Sequence, residues 1–274
     1  MGRQENVRIF EDTKRLYETN SRLREAVSSS LEHQKLITEH MKYPSHSGEK
    51  RYADSAEVVV SKRRSFAAAM RYNGKKVCVL NFASATNPGG GVTRGSTAQE
   101  ECLCRCSTLF AALDSSEMWH GFYTPHRRAR DPLHNDDCIY TPEVVVFKTD
   151  TREPALMHPK DWWKVNIITC AAPNLRPDQD GNMRVHISNQ ELYNLHVKRM
   201  RRILNIVAKK ENAVVILGAY GCGAFRNPPD IVASAMRQVI EEFRYHFRVI
   251  EFAVYCSPRE GLNYQVFQQI LGNL

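Results

Sequence analysis

The sequence predicts a three-layer α/β/α fold with a mixed central sheet and an N-terminal helical extension. From about residue 57, short and almost continuously apolar runs alternate with segments whose apolar residues recur at helical spacing. This alternation is typical of a sheet buried between two layers of helices. Two of the apolar runs lead into glycine-rich loops that end where a helix begins. We therefore divide the chain into a helical extension over residues 1–50, packed on the core, and a core domain over residues 51–274.

The extension is predicted to form two helices. Between residues 5 and 41 its apolar side chains recur at helical spacing, and polar residues fill the remaining positions. That spacing places the apolar side chains on one face of each helix. The two helices are therefore expected to pack on a core formed by the rest of the chain.

The core elements follow from the same two patterns, since apolar runs of strand length predict buried strands and helical spacing predicts amphipathic helices. Ser188 and Glu191 form a capping box, which predicts the start of one helix. Residues 114–142 are predicted to be a long irregular insertion, and the role of its 114–138 part is left open. The other elements, in chain order, are a strand at 57–60, a helix at 64–72, a strand at 76–82, a helix that follows the first glycine loop and runs to about 113, strands at 143–147 and 165–170, a helix at 188–210, a strand at 213–217, a helix at 229–245, a strand at 249–255 and a helix at 262–271.

The first glycine loop joins strand 76–82 to the helix that follows it. Asn87 and Pro88 precede three consecutive glycines at 89–91, and after a short spacer come two adjacent carboxylates, Glu100 and Glu101. Glycine has no Cβ, so the main chain can approach a ligand closely. A helix N-terminus behind such a loop favours anions. The segment therefore predicts acid–base side chains beside a bound phosphate.

The bland alternative is an ordinary acidic first turn, because carboxylates stabilise many helix N-termini. Taken alone, residues Gln99 to Glu101 are explained by an ordinary acidic helix start. Their position shortly after three consecutive glycines disfavours that explanation. The start of this helix offers two possible capping boxes, Ser96 with Gln99 or Thr97 with Glu100.

A second glycine loop, GAYGCGAFRNPPD, covers residues 218–230 after strand 213–217. Alone it is weak as a signal, since a tight turn between a strand and a helix explains it equally well. It matches neither the dinucleotide fingerprint nor the Walker A loop. Ligands of open α/β sheets bind beyond the carboxyl ends of the strands. Two such loops in one sheet are therefore expected to bind a diphosphate from two sides.

Composition restricts the location and the partners. No apolar run approaches the roughly 20 residues that cross a bilayer, and the N-terminus lacks the apolar region of a secretory signal. The eight cysteines contain no CxxC pair, so reduced thiols are expected in place of a disulfide framework or a zinc site. A cytoplasmic location follows. The net charge of +8 favours polyanionic partners, but direct DNA binding is not expected because no nucleic-acid module is visible.

Taken together, these motifs resemble the macrodomain fold and, specifically, the bacterial-type (microbial) poly(ADP-ribose) glycohydrolases. The mark of that family is three glycines, a short spacer and Gln-Glu-Glu, matched here at residues 89–91 and 99–101. The resemblance continues through LNFASATNPGGG, IYTPEVVVFK, the Ala-Ala-Pro-Asn of residues 171–174 and the second glycine loop. It covers roughly residues 55–270, so that residues 51–274 are expected to form a macrodomain-like catalytic domain.

The resemblance implies hydrolysis of ribose–ribose O-glycosidic bonds in poly(ADP-ribose), or action on ADP-ribosylated proteins, with release of ADP-ribose and without a metal or an organic cofactor. By position, Glu101 would be the catalytic acid/base and Glu100 would hold ribose hydroxyls. Phe225 would pack near the distal ribose. The residues implied to bind substrate are Asn87, Gly89, Gly90, Gly91, Gln99, Gly221, Cys222, Gly223, Ala224 and Phe225.

Helix geometry supports a single acid/base. Many glycosidases flank the sugar with two carboxylates, whereas adjacent helix residues such as Glu100 and Glu101 point about 100° apart. We therefore expect Glu101 to do the proton transfer and Glu100 to orient the substrate. The alternatives are a module that binds ADP-ribose without cleaving it, a hydrolase of mono-ADP-ribose, and a structural protein with incidental glycine turns. A binding module needs the loops but not an acid, so the two glutamates disfavour it.

Overall fold

The computed structural model describes residues 2–43, 50–178, 180–183, 185–256 and 261–274. Its strands are β1 Lys35–Ile37, β2 Glu57–Ser61, β3 Val77–Ala83, β4 Cys138–Val146, β5 Trp163–Ala171, β6 Val214–Leu217 and β7 Val249–Ala253. They form one seven-stranded sheet in the order β1-β4-β5-β3-β6-β7-β2, with both antiparallel and parallel pairs. The predicted class, α/β with a mixed central sheet, is confirmed.

Helices connect most of the strands, as the alternation of patterns in the sequence predicts. They are α1 Arg3–Thr19, α2 Ser21–His33, α3 Ser65–Met70, α4 Gln99–Cys106, α5 Leu109–Leu113, α6 Ser116–Met118, α7 Thr124–Ala129, α8 Asn189–Lys209, α9 Pro229–Phe243 and α10 Leu262–Leu271. A π-helical turn, Trp119–Tyr123, lies between α6 and α7, and 3-10 turns lie at Val92–Arg94 and Pro159–Asp161. None of the helices that the structure describes is long and apolar enough to cross a membrane.

The chain divides into two compact units. Unit 1 comprises Met1–Thr38, Asn81–Asp131 and Asp137–Ala171, and unit 2 comprises Glu39–Leu80, Pro132–Asp136 and Ala172–Leu274. In unit 1, β4 pairs antiparallel with both β1 and β5. The sequence analysis did not predict β1, because three residues of an edge strand are too few to show a period.

In unit 1 the first N-terminal helix, α1, holds α4 in place. The predicted helical spacing is confirmed, and Phe10, Tyr17 and Leu23 are buried. The Thr13 hydroxyl donates a hydrogen bond of 2.6 Å to the carbonyl of Arg105, near the end of α4. The Asn6 side chain donates at 3.0 Å to the carbonyl of Gly95, just before α4. Side chains of α1 therefore satisfy backbone groups on both sides of the predicted catalytic residues.

Unit 2 contains the parallel part of the sheet. Strands β3 and β6, β6 and β7, and β7 and β2 are paired in parallel, and all five residues of β7 are buried. The capping box that predicts the start of α8 is confirmed, because the Ser188 and Glu191 side chains each accept a backbone N–H of the other. The 188–210, 229–245 and 262–271 predictions agree with α8, α9 and α10.

The helix predicted from the first glycine loop to about residue 113 is wrong in one respect, since it is broken into α4 and α5. Ser107 has extended backbone angles and forms an antiparallel bridge with Val146. Its hydroxyl donates to the carbonyl of Leu103, and the N–H of Thr108 donates to the carbonyl of Val145. Pairing with the neighbouring strand therefore replaces one turn of helix.

The prediction that residues 114–142 are irregular is also wrong in part, because residues 116–129 are helical. Ser115 caps α6 by accepting the N–H of Met118. Met118, Phe122 and Tyr123 are fully buried along this segment. The π-helical turn adds a residue to one turn, so the apolar residues of this segment do not repeat at one constant α-helical spacing.

Candidate active site

The first glycine loop follows β3 and turns back on itself in unit 1. The hydroxyl of Ser84 accepts hydrogen bonds from the N–H groups of Thr86 and Asn87 at 3.3 and 3.1 Å. The N–H of Gly90 donates to the carbonyl of Asn87 at 3.0 Å, which closes a reverse turn. Gly89 and Gly90 have φ of +61° and +60°, where glycine avoids the strain that other residues carry. Hydrogen bonds within the chain thus define the conformation of the loop without a contribution from a ligand.

The three side chains at the start of α4 reach back to this loop and to the end of β3. Gln99 accepts the N–H of Phe82 at 2.9 Å, Glu100 accepts the N–H of Ser84 at 2.8 Å, and Glu101 accepts the N–H of Gly91 at 2.9 Å. Helix α4 itself begins after Ala98 without any side-chain cap. Both predicted capping boxes are therefore wrong, because Gln99 and Glu100 bind the preceding segment and not the N-terminus of their own helix.

Glu100 is buried, with only 3% of its surface exposed. Burial raises the pKa of this carboxyl to about 8; the Ser84 N–H opposes the shift, and the nearby charge of Glu101 reinforces it. The side-chain amide of Asn81 also donates to Glu100, at 3.2 Å, and to the hydroxyl of Thr169. At neutral pH Glu100 is therefore mostly protonated, and a neutral carboxyl can both donate and accept a hydrogen bond.

Glu101 lies beside Glu100 and is held through one of its two oxygens. Its Oε1 accepts the Gly91 N–H, while its Oε2 is buried and has no hydrogen-bond partner among the residues that the structure describes. A buried carboxylate oxygen without a partner is costly, and native proteins keep few of them. The oxygen is thus oriented by its own carboxyl group and left available for a substrate.

Gly90 lies against both carboxylates, and its position requires glycine. A Cβ added there would be 2.7 Å from Glu101 Oε1 and 3.1 Å from Glu100 Oε2. The first glycine loop and the Gln-Glu-Glu motif therefore contact each other within unit 1 and form one assembly, although Gly91 and Glu101 are ten residues apart in sequence. Asn87 belongs to this assembly as well, since its Oδ1 accepts a hydrogen bond of 2.6 Å from Arg127.

The N–H groups of the first loop are already used within this assembly. Gly90 donates to Asn87 and Gly91 donates to Glu101, and the N–H of Gly89 lowers the pKa of Glu100 by hydrogen bonding. The Gly91 and Gly89 amides thus bind the carboxyl groups of Glu101 and Glu100, and the Gly90 amide closes the turn. The sequence predicts that these amides contact a diphosphate, and that contact stays a prediction.

The second glycine loop, in unit 2, is organised around Asn227. Its amide donates to the carbonyls of Pro173 and Gly221 at 2.7 and 3.1 Å, so its oxygen must accept the contact of 2.9 Å from His196 Nε2. Burial lowers the pKa of His196 to about 4, which keeps the ring neutral with its proton on Nε2. Gly221 has φ of +77°, and a Cβ there would be 2.6 Å from the Asn227 amide nitrogen.

The tip of the second loop presents its backbone to solvent. Gly223 and Ala224 are exposed and Phe225 is half-buried. Within the described ranges, no hydrogen bond uses the N–H groups of these three residues as donors. A Cβ on Gly223 would meet nothing within 4 Å. Burial raises the pKa of the Cys222 thiol, so Cys222 is a poor nucleophile.

The analysis from sequence missed four residues that build these two assemblies, namely Asn81, Ser84, His196 and Asn227. Asn81 carried a usable signal, since it is a polar residue near the end of the apolar run VCVLNF. His196 is one of many polar residues on a long helix, and nothing distinguishes it before folding. In the ranges covered by the structure, no group of three or more His, Cys, Asp or Glu side chains could hold a metal ion.

Comparison with known proteins gives one family match and strong structural matches. The family model "Microbial-type PARG, catalytic domain" matches residues 4–149. The poly(ADP-ribose) glycohydrolase (PARG) of Thermomonospora curvata is 28% identical, with a TM-score of 0.85 over 98% of this chain and 100% of its own. The structure of that enzyme with the inhibitor ADP-HPD is also 28% identical, with a TM-score of 0.79 over 97% and 99%.

A second organism gives the same result. The poly(ADP-ribose) glycohydrolase of Deinococcus radiodurans, in complex with ADP-ribose, is 31% identical, with a TM-score of 0.73 over 90% of this chain and 97% of its own. A search of curated proteins gives no match.

Proposed function

Since the chain belongs to the microbial-type poly(ADP-ribose) glycohydrolase family, we propose that it hydrolyses the ribose–ribose O-glycosidic bonds of poly(ADP-ribose) and releases ADP-ribose, with Glu101 as acid/base. The observation that carries the catalytic role is the buried Oε2 of Glu101, which has no partner among the described residues. Relatives of similar length bind ADP-ribose or the inhibitor ADP-HPD.

In this mechanism one carboxyl group transfers the proton twice. In the productive complex the Glu101 carboxyl carries a proton taken up from solvent, and Oε2 gives that proton to the departing glycosidic oxygen while positive charge develops at the anomeric carbon. Water then adds to that carbon, and its proton returns to Glu101, which restores the starting state. The hydrogen bond from Gly91 to Oε1 keeps the carboxyl plane fixed during both steps. Glu100, being neutral, exchanges hydrogen bonds with the ribose hydroxyls.

The second loop is proposed to hold the diphosphate. This loop follows β6 in the parallel part of the sheet, and the carboxyl ends of strands are the usual location of ligands in α/β sheets. Gly223, Ala224 and Phe225 offer consecutive N–H donors that no internal bond among the described residues uses. Successive backbone donors of this kind bind anions. The Phe225 ring is proposed to pack on the distal ribose, and Gly221 and Cys222 to shape the loop.

The first loop takes a different part in the same proposal. Gly89, Gly90 and Gly91 bring main chain against the carboxylates without side chains in the way, Gln99 anchors the loop to β3, and Asn87 orients it or contacts a ribose hydroxyl. We also propose that residues 51–274 form the catalytic domain, with residues 1–50 as its helical extension. We also propose a cytoplasmic location. Cys78 and Cys170 are buried in strands as free thiols, and free thiols are typical of proteins in a reducing compartment.

Product analysis tests the proposed reaction. The protein is incubated with poly(ADP-ribose), with a mono-ADP-ribosylated protein and with a free nucleotide sugar, and the products are separated by chromatography. Release of ADP-ribose from the polymer is the expected result. Tight binding of ADP-ribose without turnover would instead identify a binding module, and release from the mono-ADP-ribosylated protein alone would identify a hydrolase of single units.

A single methyl group tests the second loop. Gly223→Ala is expected to leave the melting temperature unchanged, because the added Cβ meets nothing within 4 Å. It should raise the Kd for ADP-ribose about 10- to 100-fold, because the methyl group keeps the phosphate from approaching the N–H donors of the loop, and one or two hydrogen bonds to a charged group are worth that much. Gly261→Ala is the matched control, since its nearest neighbour would be 3.8 Å away. Equal calorimetric affinities for the two variants would contradict the diphosphate role.

A further inference from the structure

The helical segment at residues 116–129, which the sequence analysis left without a role, carries an arginine that binds the first glycine loop. Arg127 donates from Nε to the carbonyl of Thr86 and from Nη2 to the side-chain oxygen of Asn87, both at 2.6 Å. Its guanidinium carbon lies 4.5 Å from the ring centroid of Trp119. Trp119 is in turn fixed by a hydrogen bond of 2.8 Å from its Nε1 to Asp114.

These contacts determine how Asn87 is oriented. Its Oδ1 faces Arg127, so its Nδ2 must point the other way, where it donates to the hydroxyl of Thr86 at 3.1 Å. Its own N–H and carbonyl are used by Ser84 and Gly90. Arg127 therefore fixes one backbone carbonyl and one side chain immediately before the three glycines. A planar group with several donors can bind two acceptors at once and also stack on an aromatic ring, which an ammonium group cannot do.

The exposure of Arg127 argues against a purely structural function. The side chain is exposed, whereas Met118, Phe122 and Tyr123 of the same segment are fully buried. The fold thus does not depend on burying Arg127. What depends on it is the position of Asn87, whose neighbours in the loop contact Glu100 and Glu101.

We propose that Arg127 is a positioning residue for the hydrolysis of poly(ADP-ribose), acting through Asn87 and itself oriented by Trp119. It fixes the entrance of the glycine loop, so that the ribose contacts of Asn87 and the placement of Gly90 against the carboxylates are set before substrate binds. This inference rests on the proposed function. A direct contact between Arg127 and a substrate phosphate is the competing explanation.

Three variants separate these explanations. Arg127→Ala is expected to lower kcat/KM on poly(ADP-ribose) about 10- to 100-fold, the effect of a small misplacement of groups near the reaction. Arg127→Lys should restore little of this loss, because lysine keeps the charge but cannot bind both acceptors and stack on Trp119. Arg128→Ala, which removes the same charge from the same helix, should stay within about two-fold of the wild type, since exposed charges are strongly screened. All three should melt within a few degrees of the wild type.

A double-mutant cycle tests whether the effect passes through Asn87. In an Asn87→Ala background, Arg127→Ala is expected to cost clearly less than in the wild type, as coupled residues are not additive. Fully additive losses, recovery of activity with Arg127→Lys, or an equal loss with Arg128→Ala would each overturn the proposal. A loss with Arg127→Ala that disappears at high salt would favour direct phosphate binding and overturn it too. A wild-type protein without activity on the polymer would instead remove the proposed function, and this inference with it.

Discussion

Glu101→Gln is expected to lower kcat on poly(ADP-ribose) by about 10²- to 10⁴-fold, the usual contribution of a general acid/base. The substitution keeps the shape of the side chain, and the amide oxygen can still accept the Gly91 N–H that Oε1 now accepts. What is lost is the ability of the buried Oε2 position to give and take a proton. Affinity for ADP-ribose, measured by calorimetry, should change by no more than a few-fold. A variant that keeps full turnover would refute the assignment of Glu101.

The neighbouring glutamate supplies the matched control. Because burial raises the pKa of Glu100 to about 8, its carboxyl is mostly neutral at pH 7, and Glu100→Gln replaces one neutral group with another. We expect kcat to fall by less than about 10-fold at pH 7, the scale of one altered hydrogen bond. If Glu100→Gln is instead as inactive as Glu101→Gln, the two carboxyls share the proton transfer and the single acid/base mechanism is wrong.

The same carboxyls show how far the sequence leads. The triple glycine and Gln99-Glu100-Glu101 predict correctly that a loop and a helix start come together. The two segments are close in sequence, and three consecutive glycines are unfavourable unless the main chain must approach another group closely. The partners of these side chains could not be predicted. Glu100 accepts hydrogen bonds from Ser84 and Asn81. Which donors it reaches depends on the position of α4 relative to β3, and no local sequence pattern determines that position.

The second loop and the insertion show the same limit in different ways. The glycines of residues 218–223 predict a tight turn, but Asn227 and His196, which determine its conformation, are 31 residues apart. Residues 116–129 were read as irregular because the π-helical turn at Trp119–Tyr123 disrupts the α-helical period. Fold class, most elements and the pairing of the first glycine loop with Gln99-Glu100-Glu101 thus follow from periodicity and motif spacing, whereas polar networks between distant segments require the folded chain.

Gly90→Ala is the second substitution with a large expected effect. Residue 90 has φ of +60°, so alanine there carries left-handed strain of roughly 1–2 kcal/mol. In addition, the new methyl group would lie 2.7 Å from Glu101 Oε1 and 3.1 Å from Glu100 Oε2, so that at least one carboxyl must move. A shift of this size at a catalytic group can cost about 100-fold in rate. We expect kcat/KM to fall by about that factor or more.

Gly74→Ala separates strain from displacement of the carboxylates. Gly74 also has positive φ, +92°, but a Cβ there would meet nothing within 4 Å. Both variants should lose a few degrees of melting temperature, since about 1 kcal/mol corresponds to roughly 2–4 °C in a chain of this size. Only Gly90→Ala should lose activity at a temperature where both proteins are folded. If both variants keep wild-type kcat/KM, the close approach of the loop to Glu100 and Glu101 has no part in catalysis, and the catalytic geometry proposed for Glu101 must be given up.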